Sequence, residues 1–419
     1  MAFSVIAHRR SVLLGLLAGA CAPRLAASPV APSVEWRAAG DVARGYVAAR
    51  KVSGMSLAIR RGDDPTRFLH FGTQAFDGPA VDERTIWRIF SMTKPITGVA
   101  ALLLVEEGKL ALDQPVGEIL PAFAKLDVLE NGARRPATKP MLVRHLLTHT
   151  AGLGYHITTE NALAPLYAAA GIKPGDPSPP RDGEREPPTS LADFGDRLAT
   201  LPLHAEPGTT YAYSVSLDLV GLLIERASGM PFETFLQKRV FEPAGMVDTA
   251  FFVPDEKRAR LAMNYGVGRD RVDALERPDA SPYHTPPAVP SGGGGLVSTS
   301  ADYARFNQVL MDGGVIDGRR VMRTQTARLA HSNLLPPGVK AWDGNDFGAG
   351  MGVANATSAV AGQEPAGSYG WAGAAGTIMW NDPMNRLSVV MMTQFIPSHA
   401  YPVWRELREA VYRDLAAAR

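Results

Sequence analysis

The chain has 419 residues, of which 46% are hydrophobic and 20% are charged, which is enough for two packed units or one large domain with an insertion. Its 43 basic and 42 acidic side chains give a net charge of +1, without a basic block or interleaved aromatic and basic residues. This balance argues against nucleic acid, and against an acidic membrane surface, as the main partner.

The N-terminal residues 1–27 predict an export leader. Arg9 and Arg10 precede an apolar run, 12–20, that is too short to span a bilayer. Sec, twin-arginine and lipoprotein types of leader all stay open, and cleavage is expected near residues 26–27. Residues 18–21 are a poor lipoprotein box, because a larger aliphatic residue is usually found three places before the cysteine, so lipid attachment at Cys21 is the less favoured reading. Cys21 is the only cysteine, so the mature domain is expected to have no disulfide. We expect a periplasmic or secreted protein.

The first predicted elements after the leader are a helix and a hairpin. Residues 36–49 predict the helix. The runs 55–61 and 67–72 read as strands that pair around the turn at 62–65. Ser56 lies in a faint likeness to a nucleophile elbow, but no helix follows it, so we interpret it as an ordinary strand residue.

The next predicted element is a strand that gives way to a helix. Residues 85–90 read as extended, and the Ala- and Leu-rich run 95–107 has apolar residues at helical spacing. Proline fits the first turn of a helix, where its missing N–H costs nothing, so Pro95 predicts that Ser91 lies at the helix start. Lys94 is three residues further on and shares a helix face with Ser91.

The rest of the chain changes character twice. Residues 116–285 predict helices and long loops, including a Pro- and Gly-rich surface excursion at 173–188 rather than a disordered spacer. Beyond them, Thr299 predicts the N-cap of a helix that ends at 313–314. Further elements are then expected in this order: strands at 377–380 and 387–394, and an amphipathic helix at 404–415.

These elements predict an α/β fold in which both ends of the chain build one antiparallel sheet flanked by helices. The sheet domain is expected over 30–115 and 286–419, and a mainly helical insertion domain over 116–285. This arrangement needs no internal repeat, and none is found.

The pair Ser91 and Lys94 suggests nucleophilic catalysis. A serine hydroxyl is a weak nucleophile near neutral pH and needs a base beside it. A lysine that is buried, or close to another cation, gives up its proton more easily and can be that base. Alone, the pattern S-x-x-K is better explained by an N-cap serine and a solvated lysine. The flanking sequence reverses that judgement.

The flanking sequence closely resembles the serine β-lactamase-like superfamily, and within it the class C β-lactamase-like esterases, also called family VIII carboxylesterases. The matching segments, in the family's order, are 86–110 with FSMTKP, 142–153 (LVRHLLTHTAGL), 207–214 (PGTTYAYS), 243–246 (PAGM), 293–299 (GGGLVST) and 380–383 (WNDP). The resemblance implies the β-lactamase and penicillin-binding-protein transpeptidase fold, with the active site in a cleft between the two units.

The resemblance also implies a third catalytic residue, Tyr213, which would return a proton to the leaving group. A phenol becomes a useful base only beside positive charge, which Lys94 would supply. The motif makes Tyr211 the packed structural ring; Tyr211 as the reactive phenol remains the alternative. Two backbone N–H groups, of Ser91 and Ala374, are the expected oxyanion hole, and Gly373 permits close approach of an acyl group.

Two departures from the family's β-lactamases point to the substrate. Val215 stands where those enzymes place an Asn that binds a substrate amide, and Trp371 stands where they place a cation. Trp offers an apolar face and one N–H donor instead of a charge. A site with Val215 and Trp371 as substrate-binding residues should favour neutral, apolar acyl groups, as the esterase branch does.

Other signals carry little weight. His145 and His149 have metal-ligand spacing, but no Glu follows the first and no third ligand is evident, so we interpret both as structural. Residues 292–295 lack the Lys-Ser/Thr ending of a phosphate loop and more plausibly mark chain passing beneath the site. We therefore expect no metal and no cofactor.

The resemblance favours an exported serine esterase that cleaves small-molecule carboxylic esters, expected to be short-chain, by a Ser-Lys-Tyr acyl-enzyme mechanism. One alternative keeps the machinery and changes the substrate: a β-lactamase, a D-alanyl-D-alanine carboxypeptidase or an acyltransferase. Another is a non-catalytic binding protein on the same fold. The sequence sets no oligomeric state and, beyond the expectation of short chains, no particular acyl-chain preference.

Overall fold

A computed structural model describes residues 34–158, 162–176, 178–269, 271–360 and 364–418. The predicted leader, 1–27, and Cys21 lie outside the described residues. Within those ranges, no helix combines the length and the apolar character that crossing a bilayer requires.

Helices and short strands alternate along the described chain. The helices are α1 (Arg37–Ala48), α2 (Thr93–Glu106), α3 (Val143–Leu147), α4 (Ala164–Ala169), α5 (Leu191–Ala199), α6 (Ser216–Ser228), α7 (Phe232–Leu236), α8 (Glu242–Ala244), α9 (Ser300–Met311), α10 (Thr324–Ala330) and α11 (Val403–Ala417). The strands are β1 (Gly54–Arg61), β2 (Arg67–Gly72), β3 (Trp87–Arg88), β4 (Asp127–Glu130), β5 (Ala133–Pro136), β6 (Asn264–Val267), β7 (Val272–Glu276), β8 (Val297–Ser298), β9 (Val315–Ile316), β10 (Arg319–Arg320), β11 (Asp346–Phe347), β12 (Gly352–Val353), β13 (Tyr369–Ala372), β14 (Ile378–Asp382), β15 (Leu387–Met392) and β16 (Phe395–Ile396).

The main sheet has seven strands in the order β11-β12-β13-β14-β15-β1-β2. Every neighbouring pair in it is antiparallel. The N-terminal hairpin β1–β2 is joined to the C-terminal strands by pairing of β1 with β15. The prediction that both chain ends build one antiparallel sheet is therefore confirmed.

Different helices cover the two faces of this sheet. Leu57 and Ile59 of β1 pack with α1 and α11, whereas Ala58 between them joins the core that contains α2 and α9. Successive side chains of a strand point to opposite faces, which produces this division. All residues of β15 are buried because both of its faces are covered, so its sequence is apolar at every position except Ser388.

The middle of the chain is mainly helical, with α3 to α8 and the small hairpin β4–β5. Helix α6 packs against α2, so the segment before α6 lies close to the start of α2. The proposed insertion boundaries at 116 and 285 stay predictions.

Most predicted elements are confirmed within a few residues: α1, the β1–β2 hairpin, β14, β15 and α11. Thr299 is the N-cap of α9, because its side chain accepts a hydrogen bond from Asp302 N–H at 3.0 Å. The prediction of an extended run at 85–90 is wrong in part. Only Trp87–Arg88 forms a strand, since its partner β8 is equally short, and a 3₁₀ turn begins at Phe90 before α2 starts at Thr93.

Two helical glycines give a test of this packing. A Cβ on Gly98 of α2 would clash with the Ala349 carbonyl, whereas a Cβ on the exposed Gly45 of α1 meets nothing within 4 Å. We expect Gly98→Ala to lower the free energy of unfolding by about 1–3 kcal/mol, although alanine favours helices. Gly45→Ala is the matched control and should raise that free energy by about 0.5–1 kcal/mol. Urea unfolding of both variants measures the difference, and equal effects would contradict the packing described.

Candidate active site

Ser91 lies in the 3₁₀ turn Phe90–Met92, between strand β3 and helix α2. Phe90, the residue before it, has φ +42°, a left-handed backbone conformation that is uncommon for residues other than glycine. The turn and the first residues of α2 place Lys94 beside Ser91, with Lys94 Nζ 3.2 Å from Ser91 Oγ. The side chain of Lys94 is 0% exposed. The two residues of the predicted pair are thus in hydrogen-bond contact.

Tyr213 reaches the same point from the segment that precedes α6. Its hydroxyl is 2.6 Å from Ser91 Oγ, and Lys94 Nζ lies 4.5 Å from the centre of its ring. The structure therefore brings together the three residues that the sequence singled out. The hydroxyl of Tyr211 has no hydrogen-bond partner among the described residues. Tyr211 instead packs its ring against His149 and Phe347, which fits the structural role expected for it.

A glycine-rich loop at 291–295 holds the other side of the lysine. Lys94 Nζ donates a hydrogen bond to the carbonyl oxygen of Gly293 at 2.6 Å. A Cβ on Gly293 would lie 2.5 Å from Asp218 Oδ2, and one on Gly292 would clash with the Leu217 carbonyl. The glycines at 292–293 are therefore needed for close packing under the site, as the sequence analysis proposed for this run.

Asp218, in the first turn of α6, is a site residue that the sequence analysis missed. Its Oδ1 accepts hydrogen bonds from the Ser291 hydroxyl at 2.5 Å and from the Gly293 N–H at 3.0 Å. The side chain is fully buried, and burial raises its pKa while the charge of Lys94 opposes that rise. Asp218 thus fixes Gly293, the residue whose carbonyl binds Lys94. The missed signal was an acid inside an otherwise apolar helical run.

His149 contacts the site through its ring. Its Nδ1 accepts the Ser214 N–H at 3.3 Å and lies 3.1 Å from the Ser214 hydroxyl, and its ring centre is 4.8 Å from that of Tyr213. Burial lowers the pKa of His149 well below its usual value, with the charge of Lys94 acting in the same direction. A neutral imidazole therefore supports the Tyr213 ring.

His145 is buried further from the nucleophile. Its Nδ1 accepts the Leu142 N–H at 3.2 Å, and Gly208 lies so close that a Cβ there would be 2.7 Å from His145 Nε2. The described residues contain no group of three or more His, Cys, Asp or Glu side chains able to hold a metal ion. Both histidines are engaged in protein contacts of the structural kind that the sequence suggested.

An aromatic wall formed by Trp342, Phe347 and Trp371 stands beside Tyr213. Trp371 of β13 lies with its ring 6.0 Å from Tyr213 and stacks on Trp342 at 5.9 Å with an interplanar angle of 3°. Trp342 is also 5.0 Å from Tyr213, and it is 52% exposed. The sequence predicted Trp371 but not Trp342, whose only signal was a large aromatic in a loop rich in Pro and Gly.

The turn after β13 approaches the strand that leads into the nucleophile. A Cβ on Gly373 would clash with the Ile89 carbonyl, so only glycine permits this approach. Ala374 follows at the surface of that turn. Val215 is different from expectation: its side chain is fully buried in the core, and its N–H donates to the Gly154 carbonyl at 3.1 Å. It therefore does not present an exposed surface to a ligand.

This arrangement suits proton transfer from a hydroxyl. Ser91 Oγ has a phenol oxygen and an amine nitrogen within hydrogen-bond distance, and both can accept or return its proton. The short left-handed turn at Phe90 and the glycine-assisted approach of residue 373 bring two chain segments together around the hydroxyl.

Comparison with known proteins gives consistent matches over most of the chain. A family model described as Beta-lactamase matches residues 40–411. Esterase EstB from Burkholderia gladioli is 30% identical over 388 residues, which cover 87% of this chain and 91% of EstB. Protein Rv1367c from Mycobacterium tuberculosis is 34% identical over 337 residues, covering 76% of this chain and 80% of that protein. The solved structure of EstCE1, described as a hydrolase with promiscuous acyltransferase activity, gives a TM-score of 0.73 at 25% identity, covering 90% of this chain and 98% of EstCE1.

The position of Lys94 should depend on Asp218. In Asp218→Ala, Ser291 and Gly293 lose their buried acceptor, which costs about 1–3 kcal/mol of local stabilisation. We expect labelling of Ser91 by a fluorophosphonate probe to slow by about tenfold to a hundredfold. Asp218→Asn keeps an acceptor oxygen and should lose less.

The matched control for that experiment is Asp302→Ala. Asp302 is also buried, but it accepts hydrogen bonds from Asp248 N–H and Thr249 Oγ1, away from the lysine. This control should lose stability yet label at the wild-type rate while folded. A folded Asp218→Ala protein that labels as fast as wild type would contradict the positioning role.

The buried His145 should make stability pH-dependent. Burial, with a smaller effect of the Arg144 charge, lowers its pKa to about 4. The unfolded chain takes up a proton near pH 6.5, but the native imidazole does so only near 4. The stabilisation is therefore complete above about pH 6.5 and is lost as the pH falls toward 4.

Urea unfolding between pH 7 and 4.5 measures this effect. His145→Gln should flatten the pH slope of the unfolding free energy by up to about 1.4 kcal/mol per pH unit. His399→Gln, at an exposed histidine, is the control and should keep the wild-type slope. An unchanged slope in His145→Gln would show that this imidazole is not responsible.

Proposed function

The chain belongs to the beta-lactamase family of serine enzymes, and from that premise we propose that it is a carboxylesterase that forms an acyl-enzyme on Ser91. Its likeness to hydrolases and esterases of this family establishes the general class, a serine hydrolase. The observation that carries the finer proposal is the contact of Ser91 Oγ with both Tyr213 and Lys94, at 2.6 and 3.2 Å.

In the proposed acylation step, Ser91 Oγ attacks the ester carbonyl carbon while its proton passes to the pair formed by Lys94 and Tyr213. The carbonyl oxygen becomes an oxyanion, for which we propose the N–H groups of Ser91 and Ala374 as donors. The bond between the carbonyl carbon and the alcohol oxygen then breaks. Tyr213 returns a proton to the departing alcohol, and the acyl group stays on Ser91.

Deacylation repeats these events with water as the nucleophile. A water molecule gives one proton to the same pair, and its oxygen attacks the acyl carbon. The second tetrahedral intermediate collapses by breaking the bond to Ser91 Oγ, which regains a proton. The carboxylic acid leaves, and the hydroxyl, amine and phenol return to their starting states.

The substrate proposed is a neutral small-molecule ester. Trp371 brings an apolar ring to the side of Tyr213, where a cation would be needed to bind the carboxylate of a β-lactam or a D-alanyl peptide. Val215 also favours a neutral ester over an amide substrate, because its buried side chain cannot hydrogen-bond a substrate amide. We propose that the chain acts after export, which the leader at 1–27 suggests.

A second candidate is acyl transfer to an alcohol rather than to water. The likeness to EstCE1, whose description includes promiscuous acyltransferase activity, favours it. The half-exposed Trp342 also offers an apolar surface on which a large acceptor alcohol would stack next to Tyr213. The two candidates share the acyl-enzyme and differ in which nucleophile resolves it.

The test of the proposal is Ser91→Ala. Loss of the hydroxyl removes the nucleophile, so hydrolysis of p-nitrophenyl acetate and butyrate should fall by at least about a thousandfold. Ser56→Ala is the matched control, because Ser56 Oγ only bonds Ser300 and His70 within the sheet region, and it should keep its activity.

Intact-protein mass spectrometry after mixing with ester should detect an acyl adduct on wild type and none on Ser91→Ala. Full ester turnover by Ser91→Ala would refute the assignment. Hydrolysis of a chromogenic cephalosporin as fast as that of the ester would favour the β-lactamase alternative instead.

A further inference from the structure

An apolar cavity of about 450 Å³ lies behind the turn that carries the nucleophile. Its apolar lining includes Phe90, Phe251, Leu275, Pro287, Val289 and Ile396. Tyr213, Trp342 and Trp371 do not line it, so it is separate from the aromatic wall. Sites of roughly 300–1,000 Å³ hold ligands of drug size, so this volume is much larger than an acetyl group requires.

The cavity adjoins the reacting atoms through two chain segments. Phe90, which lines the cavity, is bonded directly to Ser91. Ser291 and Gly295 line it as well, and they flank Gly293, whose carbonyl binds Lys94. A Cβ on Gly294 would lie 3.8 Å from the Phe90 carbonyl carbon, so the glycine-rich loop and the Phe90 turn are in contact there.

The geometry of a tetrahedral intermediate determines which half of an ester points toward this cavity. Its carbon carries Ser91 Oγ, the oxyanion, the leaving oxygen and the acyl chain. The leaving oxygen must lie near the Tyr213 hydroxyl, on the side of the aromatic wall. The acyl chain then takes the remaining direction, away from Tyr213. The cavity lies in the segments next to the nucleophile and is not lined by the aromatic wall, so it is the apolar space available to the acyl chain.

The charges around the cavity select among acyl groups. None of its described lining residues is cationic. Two carboxylates line it, and both already have partners. Glu276 is bound by Arg88, 2.6 Å away, and by the Ser281 hydroxyl. Asp176 accepts a hydrogen bond from the Ser178 N–H at 2.9 Å. An acyl chain that ends in a carboxylate would thus enter an apolar space without a partner for its charge, which is costly. A neutral hydrocarbon chain meets no such penalty.

We propose that this cavity binds the acyl chain of the substrate and that it selects neutral acyl groups of medium length, about six to ten carbons. This inference rests on the proposed esterase function, and it replaces the sequence expectation of short acyl chains with medium ones. Burial of each further methylene in an apolar pocket adds transition-state binding that a short acyl group cannot gain.

The first experiment varies the acyl chain and keeps the leaving group constant. With p-nitrophenyl esters below their aggregation concentrations, kcat/KM of wild type should rise by at least about tenfold from acetate to octanoate. The p-nitrophenyl ester of monosuccinate should be a poorer substrate than butyrate. A flat or falling profile from acetate to octanoate would overturn the cavity assignment while leaving the esterase proposal intact. Absence of turnover on every ester, acetate included, would overturn the esterase proposal itself and this inference with it.

The second experiment fills the cavity. Val289→Trp should lower kcat/KM for octanoate by about tenfold and leave acetate within about twofold, because only the longer chain needs the filled space. Val247→Trp is the matched control: Val247 is exposed and does not line the cavity, so both substrates should react as with wild type. Equal loss on acetate and octanoate would contradict the proposal.

A surface variant keeps the test decisive if Val289→Trp does not fold. Leu275 is 57% exposed at the cavity, so Leu275→Glu should fold and place a charge where the chain enters. We expect the octanoate to acetate ratio of kcat/KM to fall by about tenfold. An unchanged ratio would show that the cavity does not bind the acyl chain. The same conclusion would follow if, in a series of acetate esters, the variant changed kcat/KM according to the size of the alcohol.

Discussion

The buried amine of Lys94 is the constraint on which the rest of the site depends. A lysine side chain that is fully removed from water must find hydrogen-bond partners inside the protein. Lys94 finds two, the Ser91 hydroxyl and the Gly293 carbonyl, and lies above the face of the Tyr213 ring. The hydrogen bonds that compensate for burying the amine also hold it beside Ser91 Oγ, whose proton it would take in the proposed mechanism.

Close packing around that amine explains features that look unrelated in the sequence. Gly293 has no side chain because Asp218 occupies the space where a Cβ would lie, and Asp218 in turn holds the Gly293 N–H. Phe90 and His149 have left-handed backbones, which for residues other than glycine persist only where the surroundings enforce them. Two such backbones therefore lie at the site, Phe90 next to the predicted nucleophile and His149 against the Tyr213 ring.

The sequence predicted the parts of this protein that depend on local pattern. Strand β15 and the β1–β2 hairpin follow from apolar runs and turn residues, and the spacing of Ser91 and Lys94 follows from a helical turn. It did not predict Asp218, Trp342 or the short extent of β3, because these depend on contacts between residues far apart in the chain. Val215 shows the same limit, since its motif position suggested a ligand contact and tertiary packing buried it.

The fold separates the residues that would carry the proposed chemistry from the surfaces that would select a substrate. Ser91 and Lys94 are fixed by the start of α2, and Tyr213 by the segment that leads into α6, so the packing of α6 on α2 joins the reacting groups. The surfaces that would distinguish an ester from a β-lactam lie elsewhere: in the loop that carries Trp342, on β13, and in the segments that enclose the apolar cavity. Under the proposed function, substitutions there would alter the environment of the leaving group or the acyl group without touching the α2–α6 contact. Membership of the beta-lactamase family therefore fits the positions of Ser91, Lys94 and Tyr213, whereas the choice of substrate has to be inferred from those outer surfaces.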